Sequence, residues 1–278
     1  MEKPKNQSEK ILKGLDMYFN REVAENFAER EQNEKNFRVA AIADRIIELE
    51  LKEFSGPLQA AELGGGAHPD RYDKFFERLL EDGGRIDWVD VSPYMLKLSK
   101  KYIDTPEYKN RQKIIDFIQA DIISYLEKLP NNALDLSIMK YTIDHIDDLD
   151  ELFELLAQKL KSPGRLVATI GVLSPELKSI STNARFLYNG QEFPENETRI
   201  LKDGDTFTVK FLKESGNPAA GYLEGAETTK YYHSPEKIKQ LAEKYGFEIF
   251  LGDWKDLVPE DLSEGEKMDQ DILVLRKK

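Results

Sequence analysis

The sequence predicts an α/β fold: a doubly wound, mostly parallel sheet of seven strands, preceded by a helical cap and interrupted late by an inserted antiparallel β-hairpin. Three observations carry this reading. Apolar runs of strand length alternate with stretches whose apolar residues recur at helical spacing. The first run stops in a glycine turn, Gly64-Gly65-Gly66, and the second stops in a carboxylate, Asp90. At 278 residues the chain can bury one large core, so a single main domain with additions is the economical arrangement.

Residues 1–56 are highly charged, with apolar positions at helical spacing clearest at Phe37, Ala40, Ala41, Ala43, Ile46, Ile47 and Leu51, and they end at the breaker Ser55-Gly56-Pro57. Strands are expected at 59–63, 85–91, 114–119, 134–139 and 165–170, and helices at 70–80, 93–102 and 149–160. Between 173 and 232 the pattern changes: Thr206 to Phe211 alternates with period two, Ser215-Gly216-Asn217-Pro218 turns, and a second strand follows over 221–232. A helix then starts at Ser234-Pro235-Glu236, and strands at 247–251 and 271–275 close the chain. The expected units are a helical cap (1–56), a sheet domain (57–172 with 233–278) and an inserted hairpin or lid (173–232).

The formal charge of −12 repels phosphate backbones, so no nucleic-acid partner is expected. The absence of cysteine excludes disulfides and thiolate zinc sites. No His-x-x-x-His cluster exists, and no metal is expected. The start lacks the apolar segment of a secretory signal, and the run 166–173 is far shorter than the roughly 20 residues that cross a bilayer. The expectation is a cytoplasmic protein without a membrane partner, left open to self-assembly as a homo-oligomer.

Three successive glycines remove every Cβ from the turn, so a ligand can approach the main chain and positive φ is easily adopted. Asp90 lies 24 residues beyond Gly66, near the interval of about 20 at which a carboxylate takes up a ribose hydroxyl pair. The dinucleotide pattern G-x-G-x-x-G fails because Pro69 occupies its third glycine position, and the P-loop pattern fails as well. What remains is a glycine turn preceded by Glu62, with no provision for a pyrophosphate. S-adenosylmethionine, which carries a ribose and no phosphate, has the matching character.

Glu62-Leu63-Gly64-Gly65-Gly66 resembles the first motif of class I S-adenosylmethionine-dependent methyltransferases, and Val89-Asp90-Val91-Ser92-Pro93-Tyr94-Met95-Leu96 resembles their second. Phe117 to Ile122 is similar to a third, and Leu134 to Ile146 to the strand and loop that line the methyl-transfer pocket. The resemblance implies a Rossmann-like fold and S-adenosylmethionine as cofactor, held by Glu62, Gly64, Gly65, Gly66, Asp90, Val91, Met95, Asp121, Ile122 and Lys140. Asp121 is placed beside the adenine amino group, although an acid after a strand equally caps a helix. The implied activity is methyl transfer to nitrogen or oxygen of a small-molecule acceptor; a non-catalytic cofactor sensor and a nucleic-acid methyltransferase are the alternatives.

Within that class the chain looks like the glycine N-methyltransferase group. Asn36-Phe37-Arg38 is similar to a position that sets an arginine on the methionine carboxylate of the cofactor, and Tyr231-Tyr232-His233-Ser234 and Leu251-Gly252-Asp253-Trp254-Lys255 follow the group's C-terminal course. Arg38 is therefore a cofactor candidate, or else a surface cation. The group holds its substrate carboxylate with an arginine just after the fifth strand, where this chain reads Thr169-Ile170-Gly171-Val172. The acceptor stays open.

The loop after the fourth strand supplies the catalytic candidates. His145 has a side chain whose ordinary pKa suits it to accept a proton, and is otherwise a packing histidine. Tyr141 and Asp144 are placed to orient a polar substrate, with Asp144 alternatively capping the next helix.

Overall fold

The computed structural model describes residues 14–32, 34–171, 173–181, 183–214, 216–257 and 271–278, and the side chains of 34–39 fall outside the description. Two helices come first, α1 (Arg21–Glu31) and α2 (Glu34–Glu50). Asn20 starts α1 by accepting the N–H groups of Glu22 and Val23, two of the donors a helix start leaves unpaired. The sheet region then runs β1 (Gln59–Leu63), α3 (Asp73–Asp82), β2 (Arg85–Asp90), α4 (Pro93–Ile103), β3 (Ile115–Gln119), α5 (Ile122–Lys128), β4 (Leu134–Met139), α6 (Leu149–Lys159) and β5 (Leu160–Ile170). The insertion contains β6 (Glu176–Lys178), β7 (Ala184–Tyr188), β8 (Thr198–Ile200), β9 (Thr206–Leu212) and β10 (Tyr222–Tyr231). The chain closes with α7 (Pro235–Lys244), β11 (Phe247–Gly252) and β12 (Asp271–Lys277).

The main sheet has seven strands in the order β11-β12-β5-β4-β1-β2-β3. β1 pairs in parallel with both β2 and β4, whereas β12 is antiparallel to β5 and β11. The chain leaves β1 in one direction through β2 and β3, then returns to β4 on its other side. That reversal is the point at which open α/β sheets leave a crevice beyond the strand ends.

Both faces of the sheet are covered, so its strands are apolar on both sides. On β12, Ile272 and Val274 pack into the cluster built by Ile46, Ile47, Phe75 and Phe76. Leu273 and Leu275 point the other way, into the cluster of Leu126, Leu152, Phe153 and Leu241. The end of α2 is fixed to the sheet by Arg276, whose guanidinium donates twice to the buried Glu50 carboxylate at 2.7 Å each, a bidentate geometry that fixes direction as well as distance.

The insertion is larger than the hairpin expected from sequence. β9 and β10 pair as anticipated, but β7 adds a third strand in the order β10-β9-β7, and β6 pairs with β8 separately. β7 escapes sequence reading because Leu187 puts an apolar residue on the face opposite Phe186, which spoils the alternation. Two further differences lie in the main sheet. β5 begins at Leu160 instead of 165, with a register irregularity between Leu134 and Leu136 absorbing the break at Ser162-Pro163-Gly164. α5, not anticipated as an element, follows the Asp121 cap.

Phe153 is fully buried, and its ring meets Phe247 edge-on with centroids 6.3 Å apart, joining α6 to β11. Phe153→Ala is expected to lower unfolding stability by about 3–5 kcal/mol, read as a reduced denaturant midpoint with unchanged slope.

Candidate active site

The crevice is built from the end of β1. Leu63 is followed by Gly64, at φ +82, and the turn is fastened at once to its neighbour. The N–H groups of Gly64 and Gly65 both donate to the Val89 carbonyl, at 2.8 and 2.9 Å. The Gly66 N–H donates to Asp90 Oδ2 at 2.8 Å. Trp88 Nε1 donates to the Gly66 carbonyl at 3.1 Å, and Ser99 Oγ donates to the same oxygen. The three glycines serve different ends. A Cβ on Gly64 would stand 2.5 Å from Thr142, and one on Gly65 would stand 2.3 Å from the Trp88 indole, whereas Gly66, at φ +63, has open space there. Sequence reading assigned all three to ligand approach; packing claims two of them.

A cavity of about 630 Å³ opens over this turn. Gly64, Gly65, Gly66, Asp90, Val91, Met95, Asp121, Ile122, Lys140, Tyr141 and His145 all line it. Asp90 sits at its floor. Burial pushes its carboxyl up to about 6, against the N–H groups of Ser92 and Gly66 that favour the ionised form. Asp121 caps α5 by accepting the Ser124 N–H at 2.8 Å while still facing the cavity.

Glu62 and Asp144 stand behind the cavity wall. Glu62 is fully buried, takes a hydrogen bond from Tyr72 at 3.3 Å, and is raised by burial while the Lys140 charge opposes the rise. Lys140 lies 4.8 Å from the centroid of the Tyr72 ring. Its ammonium is pushed down, first by burial and then by the Arg71 charge. Asp144 Oδ2 accepts the Gly171 N–H at 3.1 Å and faces Lys230 Nζ at 3.2 Å. It does not cap α6, a task that falls to Asp148. The Arg38 side chain lies outside the described residues.

Tyr141 adopts φ +59 and donates its N–H to Thr169 Oγ1 at 2.9 Å, a left-handed conformation that non-glycine residues adopt mainly where surroundings enforce it. It turns the chain so that His145 reaches the cavity. His145 Nδ1 lies 3.2 Å from the Thr229 carbonyl. That partner makes Nδ1 the donor and leaves the lone pair on Nε2. Burial, and then the Lys230 charge, push this imidazole down to about 4, below its ordinary range. It is therefore neutral at physiological pH.

Sequence reading expected a helical cap and a hairpin lid on this side without naming the residues that form the second wall. Tyr18 closes over the floor: Ser92 Oγ donates to the Tyr18 carbonyl at 2.5 Å, and the Tyr18 ring stands edge-on to His145 at 6.3 Å between centroids. Phe27 of α1 meets Phe211 of β9 at 4.8 Å. Lys230 and Phe186 enter from β10 and β7. Only the period-two pattern at Phe207, Val209 and Phe211 announced any of these in the sequence.

Residues 71–168 match the family described as methyltransferase domain. Over that stretch the chain is similar to the methyltransferase-domain family. No curated protein sequence matches it. Among solved structures, it superposes on a protein from Listeria monocytogenes assigned to the S-adenosylmethionine-dependent methyltransferases, with TM-score 0.53, 17% identity, and coverage of 86% of this chain and 98% of that one. A phosphoethanolamine N-methyltransferase of Haemonchus contortus follows at TM-score 0.50 and 15% identity, covering 84% of this chain and 52% of that one. Geranyl diphosphate C-methyltransferase of Streptomyces coelicolor matches at TM-score 0.50 and 13% identity, covering 85% and 78%. At such identities the likeness is one of fold, the fold of S-adenosylmethionine-dependent methyltransferases.

S-adenosylmethionine is the cofactor whose fit this domain has to meet, and the turn meets it. All three glycine N–H groups are already spent on β2, so the loop offers no nest of free donors for a phosphate. It does offer an acidic floor for hydroxyls at Asp90 and open main chain at Gly66, which suits a nucleoside without phosphate. Asp90→Ala is expected to weaken binding of the demethylated product, S-adenosylhomocysteine, by about 1 kcal/mol or more, measured by calorimetry. Hydroxyl donors favour the ionised carboxylate, so affinity should be full well above pH 6 and fall as pH drops through that value, a dependence that Asp90→Asn should flatten. Gly65→Ala is expected to cost about 1–3 kcal/mol of stability through overpacking against Trp88, seen in thermal melts.

Proposed function

We propose that this chain transfers a methyl group from S-adenosylmethionine to nitrogen or oxygen of a small-molecule acceptor. The observation that carries the reading is the single cavity running from the Asp90 floor and the clamped glycine turn to the neutral imidazole of His145. The cofactor, when bound, supplies an electrophilic methyl group on a sulfonium whose leaving group is already activated. Asp90 is the acceptor for ribose hydroxyls, Asp121 and Ile122 border the base, and Lys140 stands near the amino-acid end. His145 Nε2 takes the proton that leaves the acceptor as its new bond to carbon forms. An imidazole held at about 4 is a weak base, so alignment carries most of the task; positioning alone can supply on the order of 7–11 kcal/mol of barrier reduction.

Closure supports that division of labour. The Gly14 carbonyl accepts Thr228 Oγ1 at 2.8 Å and the Thr229 N–H at 3.1 Å, so the segment carrying Tyr18 is fastened to β10 above the cavity and screens it from water. Resemblance in the motifs and C-terminal course supports the glycine N-methyltransferase-like group as the nearest small-molecule type, without extending to its carboxylate site.

The test is formation of S-adenosylhomocysteine from S-adenosylmethionine across a metabolite panel. Turnover with at least one acceptor supports the reading, whereas cofactor binding without any turnover supports a sensor. With an acceptor in hand, His145→Gln is expected to lower kcat by about 10²–10⁴ while S-adenosylhomocysteine affinity stays within about twofold, as for a group that acts only in the transition state.

A further inference from the structure

The chamber beyond His145 has one patterned wall. In the β10-β9-β7 sheet, Ala184 lies opposite Phe211, Phe186 opposite Val209, and Val209 in turn opposite Thr228, while Lys230 lies opposite Phe207. Directly opposed residues of antiparallel strands share a face. Ala184, Phe186, Phe207, Val209, Phe211 and Lys230 all line the cavity, so this inner face is aromatic and aliphatic with a single charge.

That charge is already answered. Lys230 Nζ faces the buried Asp144 carboxylate at 3.2 Å. Of the other cavity-lining cations on this side, Arg30 pairs with Glu31 at 2.6 Å and donates to the carbonyls of Leu212 and Asn183, with its guanidinium 5.3 Å from the Phe211 ring centroid, while Lys178 of β6 stands exposed to solvent off the β10-β9-β7 face. The backbone N–H that follows β5, at Gly171, is spent on Asp144 as well. An acidic or cationic acceptor moved into this chamber would lose its hydration and meet an apolar wall whose charges are already balanced, a loss that partners must offset. A neutral apolar body meets no such loss and gains contact area.

We infer that the acceptor is a neutral, predominantly apolar molecule of aromatic or fused-ring size, laid against the inner face of the β10-β9-β7 sheet with its one nucleophilic nitrogen or oxygen turned toward His145. This rests on the methyl-transfer reading above and narrows it. Charged amino acids and phosphorylated amines are then poor substrates.

The experiment uses the full chain loaded with S-adenosylhomocysteine and titrated calorimetrically at neutral pH with 2-naphthol and with 6-hydroxy-2-naphthoate, which differ by one carboxylate. The neutral ring should bind at least about tenfold more tightly, and Val209→Asp should weaken it by at least about tenfold with S-adenosylhomocysteine affinity unchanged within about twofold, effects of the size expected for a charge set against an apolar body. Should Val209→Asp fail to melt cooperatively, Phe211→Ser, at a half-buried position, is read in its place. Absent naphthol binding, equal or tighter binding of the carboxylate, indifference to the wall variant, or preferred methylation of glycine or phosphoethanolamine would each overturn the inference while leaving methyl transfer standing. Failure to bind S-adenosylhomocysteine at all would instead sink the reading on which it rests.

Discussion

The structure depends on a clamp between two strand ends. Gly64 and Gly65 deliver their amides to one carbonyl of β2, and Gly66 delivers its own to Asp90. This fixes the turn at the tip of the neighbouring strand and satisfies buried donors that would otherwise be costly. It also decides what the crevice can hold, because a loop whose amides are consumed cannot cradle phosphate. The same bonds orient the Asp90 carboxylate, leaving each oxygen a further lone pair for a ligand.

Around that clamp the charged groups are arranged in layers. Glu62, Tyr72 and Lys140 form a buried set behind the turn, in which burial raises the acid and lowers the amine while their mutual attraction opposes both shifts. On the far side, Asp144 and Lys230 are paired against the Gly171 amide. His145 lies between these sets, and its depressed basicity follows from burial and from the Lys230 charge. A weak neutral base in a screened cavity fits a reaction in which the leaving group is preactivated and the protein chiefly aligns the partners.

The positions of the main strands along the chain and of the glycine turn were legible before the structure, since both rest on local patterns: apolar runs of strand length, a glycine triplet and an acid at a strand end. β1, β2, β3 and β4 fall within a residue of expectation. β7 was not legible, because its apolar Leu187 is buried and removes the polar half of the alternation. Tyr18, Phe27 and Lys230 were equally silent, being single residues in charged or amphipathic stretches that acquire meaning only from what packs against them. Among the described residues, no helix is long and apolar enough to cross a membrane.

The sequence by itself determined the α/β class, the crevice at the β1 turn and the acid that faces it, because each follows from the conformational freedom of glycine, the period of the strand and the spacing of a few residues along the chain. Tertiary structure alone decided which glycines yield their space to Thr142 and Trp88, which acids turn away from the cavity, and which of two walls carries aromatic rings. Those outcomes depend on contacts between residues far apart in the chain, such as Gly64 with Thr142 and Phe27 with Phe211, and no local pattern encodes which distant residues will meet.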